Sequence, residues 1–285
     1  MRTGLKPFFI SFLITLGVLL PFVWCGTLYY DTAHSSAEPA AQPQSGVPIL
    51  SGSQDSGAFL IALAPWQECP APSLALLRLD CPQAAISVCL LPPGTVVRSP
   101  GGSATLAQSY LTAGPGRAAQ LLCETLELPP LSYVAATPGG WALLLGEPVL
   151  RLDTASLLTP AQRTALGLEG AVGQLGLPQA AALCAHAADL LPAESALKLR
   201  LAVWENTLQQ CRPQLALLAD AMRAQSSQLL TSLSATELLR LEKMLRFLSG
   251  AESVSVRVQT MPGKAEGQRF ALNEQSLALA AQLAG

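Results

Sequence analysis

Three short apolar runs constrain this chain most: Phe59 to Leu63, Leu74 to Leu79, and Ala85 to Leu91. Each has the length of a strand and is too short for an ordinary helix. Alternating apolar and polar residues would mark a sheet with one wet face. Near-continuous apolar runs mark strands buried on both faces, and such strands need other elements packed above and below them. A polar, proline-containing turn at Asp80 to Gln83 separates the second run from the third. It is the only connection among them short enough for a tight antiparallel hairpin.

The rest of the chain supplies the covering layers. Ser103 to Thr112 and Gly116 to Leu126 read as helices interrupted at Gly114-Pro115-Gly116. Leu131 to Ala136 reads as a strand, and Trp141 to Leu145 as a short helix after Pro138-Gly139-Gly140. Leu197, Leu201, Trp204 and Leu208 recur at helical spacing, a stripe that predicts core packing, and Pro213 ends or kinks that helix. Ser234 and Glu237 form a capping box for a helix carrying Leu238, Leu241, Leu245 and Leu248, which stops at Gly250. Val254, Val256 and Val258 alternate with polar residues as a half-buried strand. A turn at Met261-Pro262-Gly263-Lys264, a returning strand at Gln268 to Leu272 and a last helix capped by Asn273 close the chain. Strands interleaved with helices predict a three-layer α/β/α sandwich.

The N-terminus predicts an anchor. Lys6 and Asp31 bracket 24 uncharged residues, Pro7 to Tyr30. A helix of that length spans a hydrocarbon core of roughly 30 Å. Arg2 and Lys6 precede it and no Lys or Arg follows until Arg78, so the positive-inside rule keeps residues 1–6 in the cytoplasm and exports the body. No small-x-small cleavage site is evident near Trp24-Cys25-Gly26, which favours a retained transmembrane helix over a cleaved signal peptide. Residues 31–57, rich in Pro, Ser, Ala and Gln, read as a flexible tether, and 58–285 as the extracytoplasmic domain. The predicted localisation is therefore a single-pass cell-membrane protein.

Only 13% of residues are charged and the formal net charge is -2, so no field points to nucleic acid as a partner. Six cysteines follow the anchor without metal-binding spacing, and the only histidines are His34 and His186. Buried free thiols are the favoured reading, with a Cys69–Cys81 disulfide as the alternative. His186, in an alanine-rich helix, reads as packing.

The order of the pieces resembles the LytR-CpsA-Psr family. Leu60-Ile61-Ala62-Leu63-Ala64-Pro65 occupies the place of that family's first turn, Pro70-Ala71-Pro72-Ser73 its second, and Leu91-Pro92-Pro93-Gly94-Thr95 its third. Leu106-Ala107-Gln108-Ser109-Tyr110 resembles the helix that follows, and Leu128 to Val134 the segment before the next strand. Thr260-Met261-Pro262-Gly263 and Gly267-Gln268-Arg269-Phe270 resemble the closing hairpin. The resemblance runs from about Ala58 to Leu283.

The resemblance implies an enzyme that holds a polyprenyl-pyrophosphate-linked glycopolymer in an apolar pocket and transfers it to peptidoglycan. Arginines would clamp the pyrophosphate, acids would hold Mg²⁺, and an Asp or nearby base would assist the attacking hydroxyl. This chain departs from that pattern at each matched position. Where the family carries Pro-Arg-Asp-Thr it has Pro92-Pro93-Gly94-Thr95. The acids of the first and second turns become Pro65 and Pro72. In the stretch matching the family's arginine-rich helix, Glu194 to Leu208, the bases are Lys198 and Arg200.

No catalytic residue and no metal ligand is assigned. The candidate substrate-binding residues are Ser73, Thr95, Arg98 and Arg200, each with a plainer alternative as a turn-shaping or solvated side chain. The expected function is that of a degenerate, membrane-anchored cell-envelope protein which binds polyprenyl phosphate lipid or serves cell-envelope assembly proteins. The alternatives are an active glycopolymer phosphotransferase, for which alone Mg²⁺ is implied, and a ligand-free interaction module with a filled core.

Overall fold

A computed structural model describes residues 55–99, 102–168 and 170–285. The anchor predicted at 7–30 and most of the tether lie outside the described residues. Among the described residues, no helix is long and apolar enough to cross a membrane.

The three apolar runs form β1 (Ser56–Leu63), β2 (Ser73–Asp80) and β3 (Ala85–Leu91), and β1 begins two residues ahead of the boundary expected at 58. With β6 (Ser132–Ala136), β9 (Leu229–Thr231) and β10 (Ser255–Thr260) they make one mixed sheet of order β10-β3-β2-β1-β6-β9. β2 and β3 pair antiparallel through the expected tight turn. β1 and β2 also pair antiparallel, across the longer 64–72 connection, which doubles back through paired backbone bonds between Trp66 and Cys69. β1 and β6 are parallel, as are β3 and β10.

Alternation along each strand sends successive side chains to opposite faces. Leu60, Ala62, Leu74, Leu76, Cys89 and Leu91 face one core, covered by α1 (Leu106–Leu126) and α9 (Glu274–Ala284). Phe59, Leu77, Leu79, Ile86, Val88 and Val134 face the other. That side is covered by α2 (Pro138–Leu144), α5 (Leu177–Leu190), α6 (Ala193–Gln210), α7 (Leu218–Ala224) and α8 (Ala235–Gly250). The fold is therefore mixed α/β, with helices on both faces of a central mixed sheet. Each leucine fully buried in these cores contributes about 1.5–3 kcal/mol.

Local chemistry sets the helix ends. Thr105 Oγ1 accepts from the Gln108 amide at 3.2 Å, and Gln108 Oε1 accepts from the Thr105 amide at 3.1 Å. The helix expected from Ser103 therefore starts at Leu106. Residues before it form β5 (Gly102–Thr105), which pairs with β4 (Val96–Ser99). The break inside α1 falls where expected. Gly114 takes φ 77°, open to a residue without Cβ, and Pro115 restarts the helix. Pro138-Gly139-Gly140 opens α2 rather than preceding it, because Thr137 Oγ1 caps the Gly140 amide at 3.1 Å and Pro138 stands at a first-turn position that lacks a free donor.

Asn273 and Ser234 cap their helices as expected, Ser234 with Glu237 as its capping-box partner. A second hairpin, β7 (Val149–Asp153) with β8 (Val172–Gly176), encloses the short α3 (Thr154–Leu157) and α4 (Pro160–Ala165). The returning strand after Pro262 pairs within its own hairpin, β11 (Lys264–Glu266) with β12 (Arg269–Ala271), rather than joining the main sheet.

Candidate functional site: an apolar cleft with one guanidinium at its mouth

Between the sheet and the helices on its α5/α6 side lies a cleft of about 1500 Å³, counting its open mouth. Its floor is Phe59, Ile61 and Leu63 of β1 with Leu77, Leu79, Ile86 and Val134 from the neighbouring strands. α5 presents Ala180, Ala181 and Ala185 to it, and α6 presents Val203, Trp204, Thr207 and Leu208. The small side chains of α5 hold the helix backbone in place without filling the space below it. Trp141 lines another wall, fixed by its indole N–H donating to the Ala62 carbonyl at 3.1 Å.

Arg200 lines both this cleft and a second groove of about 550 Å³, walled by Pro92, Pro93, Leu197, Thr260 and Phe270. Arg200 and Pro93 line both spaces. Among the described residues no hydrogen bond or ion pair engages the guanidinium, whereas Arg78, Arg223, Arg240 and Arg246 are all paired with carboxylates. Its neighbour Cys184 has a thiol pushed up to about 11 by burial, and the charge of Arg200 pulls the other way. The buried stripe of α6 is Ala196, Leu199 and Val203, offset from the expected Leu197–Leu208 line. Leu197 is exposed, whereas Leu201, Trp204 and Leu208 pack against the core as expected, and Trp204 and Leu208 also border the cleft.

Two of the four candidate residues, Ser73 at the start of β2 and Arg200, line the cleft. Thr95 is fully buried, and its hydroxyl donates to the Pro92 carbonyl at 2.6 Å, so it shapes a turn and offers no free donor to a ligand. Arg98 is exposed on β4, whose Val97 packs in the α1/α9 core, and it does not border the cleft. His186 is exposed on α5, against the packing role read from its alanine-rich surroundings. The six described cysteines are all free thiols, so Cys69 and Cys81 are not bridged.

The Pro92–Thr95 turn is tied on several sides. Thr95 N–H donates to the Pro92 carbonyl at 2.9 Å, Ala107 N–H to Pro93 at 3.2 Å, Phe270 N–H to Gly94 at 2.8 Å and Leu106 N–H to Thr95 at 2.7 Å. A Cβ at Gly94 would collide with the Gln268 carbonyl. The closing hairpin thus occupies the space that a side chain at position 94 would need.

Mg²⁺ is tested by donor chemistry. Hard cations of this kind need oxygen ligands, carboxylates above all. Neither the cleft nor the groove is lined by Asp or Glu, and among the described residues no group of three or more His, Cys, Asp or Glu side chains is placed to hold a metal ion. The residues do not fit the ion.

The mixed α/β fold is similar to that of solved LytR-CpsA-Psr-like structures. The chain superposes on TagT bound to LI-WTA with a TM-score of 0.59 at 15% identity, covering 85% of this chain and 92% of that one. TagT of Bacillus subtilis also matches in a second structure, with TM-score 0.57 and 16% identity over 85% of this chain and 92% of the other. A protein of Streptococcus agalactiae matches with TM-score 0.59 at 13% identity, over 80% of this chain and 86% of that one. No family profile matches the chain, and no curated protein matches it by sequence.

Proposed function

We propose that this chain is a cell-envelope protein which uses a LytR-CpsA-Psr fold to hold a polyprenyl lipid. It has little or no transferase activity of its own and serves as a carrier or as a partner of envelope-assembly proteins. The observation that carries this reading is the apolar cleft, which keeps an arginine at its mouth while the Pro92–Thr95 turn beside it is uncharged and tied to the closing hairpin. Apolar burial favours an isoprenoid tail. Removing even one donor that stabilises developing charge costs about 2.7–4 kcal/mol in activation free energy, so loss of the whole charged set argues against efficient phosphoryl transfer. Attachment through residues 7–30, with the domain outside the membrane, completes the proposal.

Native mass spectrometry of the detergent-extracted full chain, with and without Mg²⁺, tests it. Co-purified polyprenyl phosphate or pyrophosphate supports lipid holding. An apo-protein that also refuses added polyprenyl phosphate would leave an anchored scaffold. The position of Arg200 favours one second reading, an active phosphotransferase moving polyprenyl-pyrophosphate-linked glycopolymers to peptidoglycan. Complementation of a deletion strain that is abolished by Arg200→Ala would establish it.

A further inference from the structure

Charge around the cleft defines the ligand's head more narrowly than the fold does. Among the described residues, Arg200 is the only ionised side chain lining either the cleft or the groove. It is half-buried and, among the described residues, unpaired. An anion at the edge of an apolar space needs a partner of matching charge, and a guanidinium fork matches one carboxylate or phosphate group. A diphosphate brings more negative charge than one guanidinium neutralises. The remainder would need a second base or a cation, and the lining supplies neither Lys, a further Arg, nor a carboxylate to recruit one. Among the described residues, the groove beyond Arg200 offers Thr260 as its only other polar side chain, amid leucines, prolines, Met261 and Phe270, which is poor footing for a glycan.

We propose that the cleft takes a single-chain amphiphile ending in one anionic group, paired with Arg200 without a metal ion, in preference to the diphosphate-linked form. The proposal rests on the lipid-holding reading above and narrows it from a lipid carrying any phosphate head to one that ends at a single anionic group.

Trp66, Trp141 and Trp204 all line the cleft, so intrinsic fluorescence reports its occupancy. The detergent-solubilised full chain is titrated with farnesyl monophosphate, farnesyl diphosphate and farnesol, each in EDTA and in MgCl₂. The expected result is monophosphate binding at least about tenfold tighter than farnesol, equal in EDTA and Mg²⁺, with diphosphate weaker than monophosphate. Arg200→Gln brings the monophosphate to within about twofold of farnesol while leaving farnesol affinity unchanged, which also shows that the variant is folded. Arg200→Lys retains part of the preference, and Arg98→Gln changes nothing.

Equal binding of farnesol and monophosphate overturns the pairing with Arg200 while leaving lipid holding intact. Diphosphate that binds as tightly as the monophosphate or tighter, with or without Mg²⁺, overturns the single-anion, metal-free head. Refusal of all three probes removes the lipid-holding reading itself, and this proposal with it.

Discussion

Gly94 and Phe270 are joined by a backbone hydrogen bond, Phe270 N–H to the Gly94 carbonyl at 2.8 Å, and Thr95 beside Gly94 forms a parallel bridge with Phe270. This contact ties the turn after β3 to the hairpin that closes the chain. The approach is close because position 94 has no side chain: a Cβ there would meet the Gln268 carbonyl. Sequence and packing agree here. The resemblance places an acid of the transferase motif at position 94, and this fold admits only glycine there without moving the hairpin.

Gly94→Ala is therefore expected to destabilise the domain by about 1–3 kcal/mol, the usual cost of overpacking against a fixed neighbour. For a domain of this size each kcal/mol lowers Tm by roughly 2–4 °C. Thermal unfolding of the purified domain checks it. Gly94→Asp should be at least as destabilising and should restore no transfer activity. An Asp variant as stable as the parent would show that the hairpin yields freely and that the turn is not locked.

Filling the cleft gives the second prediction. Ala181 of α5 borders it and is half-buried, so a phenylalanine there has room in the empty space below the helix. Ala181→Phe is expected to change stability by no more than about 1.5 kcal/mol, since the added ring enters a void rather than a packed core. It should also abolish farnesyl monophosphate binding in the fluorescence titration. Retained binding with normal affinity would place the ligand elsewhere.

The elements that follow from local chemistry were legible in the sequence. Strands near 59–63, 74–79, 85–91 and 131–136 announce themselves as apolar runs, and Ser234 and Asn273 announce helix starts by their side-chain oxygens. The β4–β5 hairpin was not legible, because strands as short as Val96–Ser99 and Gly102–Thr105 carry too few residues to show a period. β7 does alternate, with Leu150 and Leu152 buried between exposed neighbours, and that period-two signal was open to notice.

The cleft was out of reach for a different reason. It arises from what is missing between distant segments, where Ala180, Ala181 and Ala185 line the same space as residues of β1, and alanines in a helix read from sequence only as helix formers. Arg200 was found through the family resemblance. Its place beside the cleft depends on the rotation of α6, whose fully buried positions are Ala196, Leu199 and Val203.

The buried thiols give a pH prediction. Cys89 is fully buried, and burial alone pushes its thiol from 9.0 up to about 12; Cys81, Cys184 and Cys211 are pushed up to about 11, burial again being the largest cause. Above pH 9 the unfolded chain loses these protons and the folded one keeps them. The unfolded state then binds fewer protons, so stability is full below pH 9 and falls as pH rises toward 11–12. Each pKa unit corresponds to about 1.4 kcal/mol per group at full separation. Denaturant midpoints at pH 8, 9 and 10 should decline steadily, and Cys89→Ala should flatten the decline. A midpoint constant to pH 10.5 would mean that the thiols are not held neutral.

Glu237 gives the acid-side counterpart. Its carboxyl is held below the usual range first by the Ser132 hydroxyl, donating at 2.6 Å, then by the Ser234 hydroxyl at 2.6 Å and the Ser234 amide at 2.8 Å. These bonds tie the start of α8 to β6, so one side chain serves both the helix cap and the link to the sheet. With a lowered folded pKa, the folded state stays ionised after the unfolded one has taken up its proton. The stabilisation is therefore present above pH 4.5 and is lost as pH falls through the folded value. Ser132→Ala should cost about 1 kcal/mol near neutral pH, typical of one hydrogen bond to a charged group at a partly exposed site. Its effect should shrink as pH falls through the folded value, where the parent loses the charge that the bond favours. Chemical denaturation of both proteins at pH 7 and pH 3.5 measures this directly, and an equal penalty at the two pH values would show that Ser132 acts through packing and not through the carboxylate.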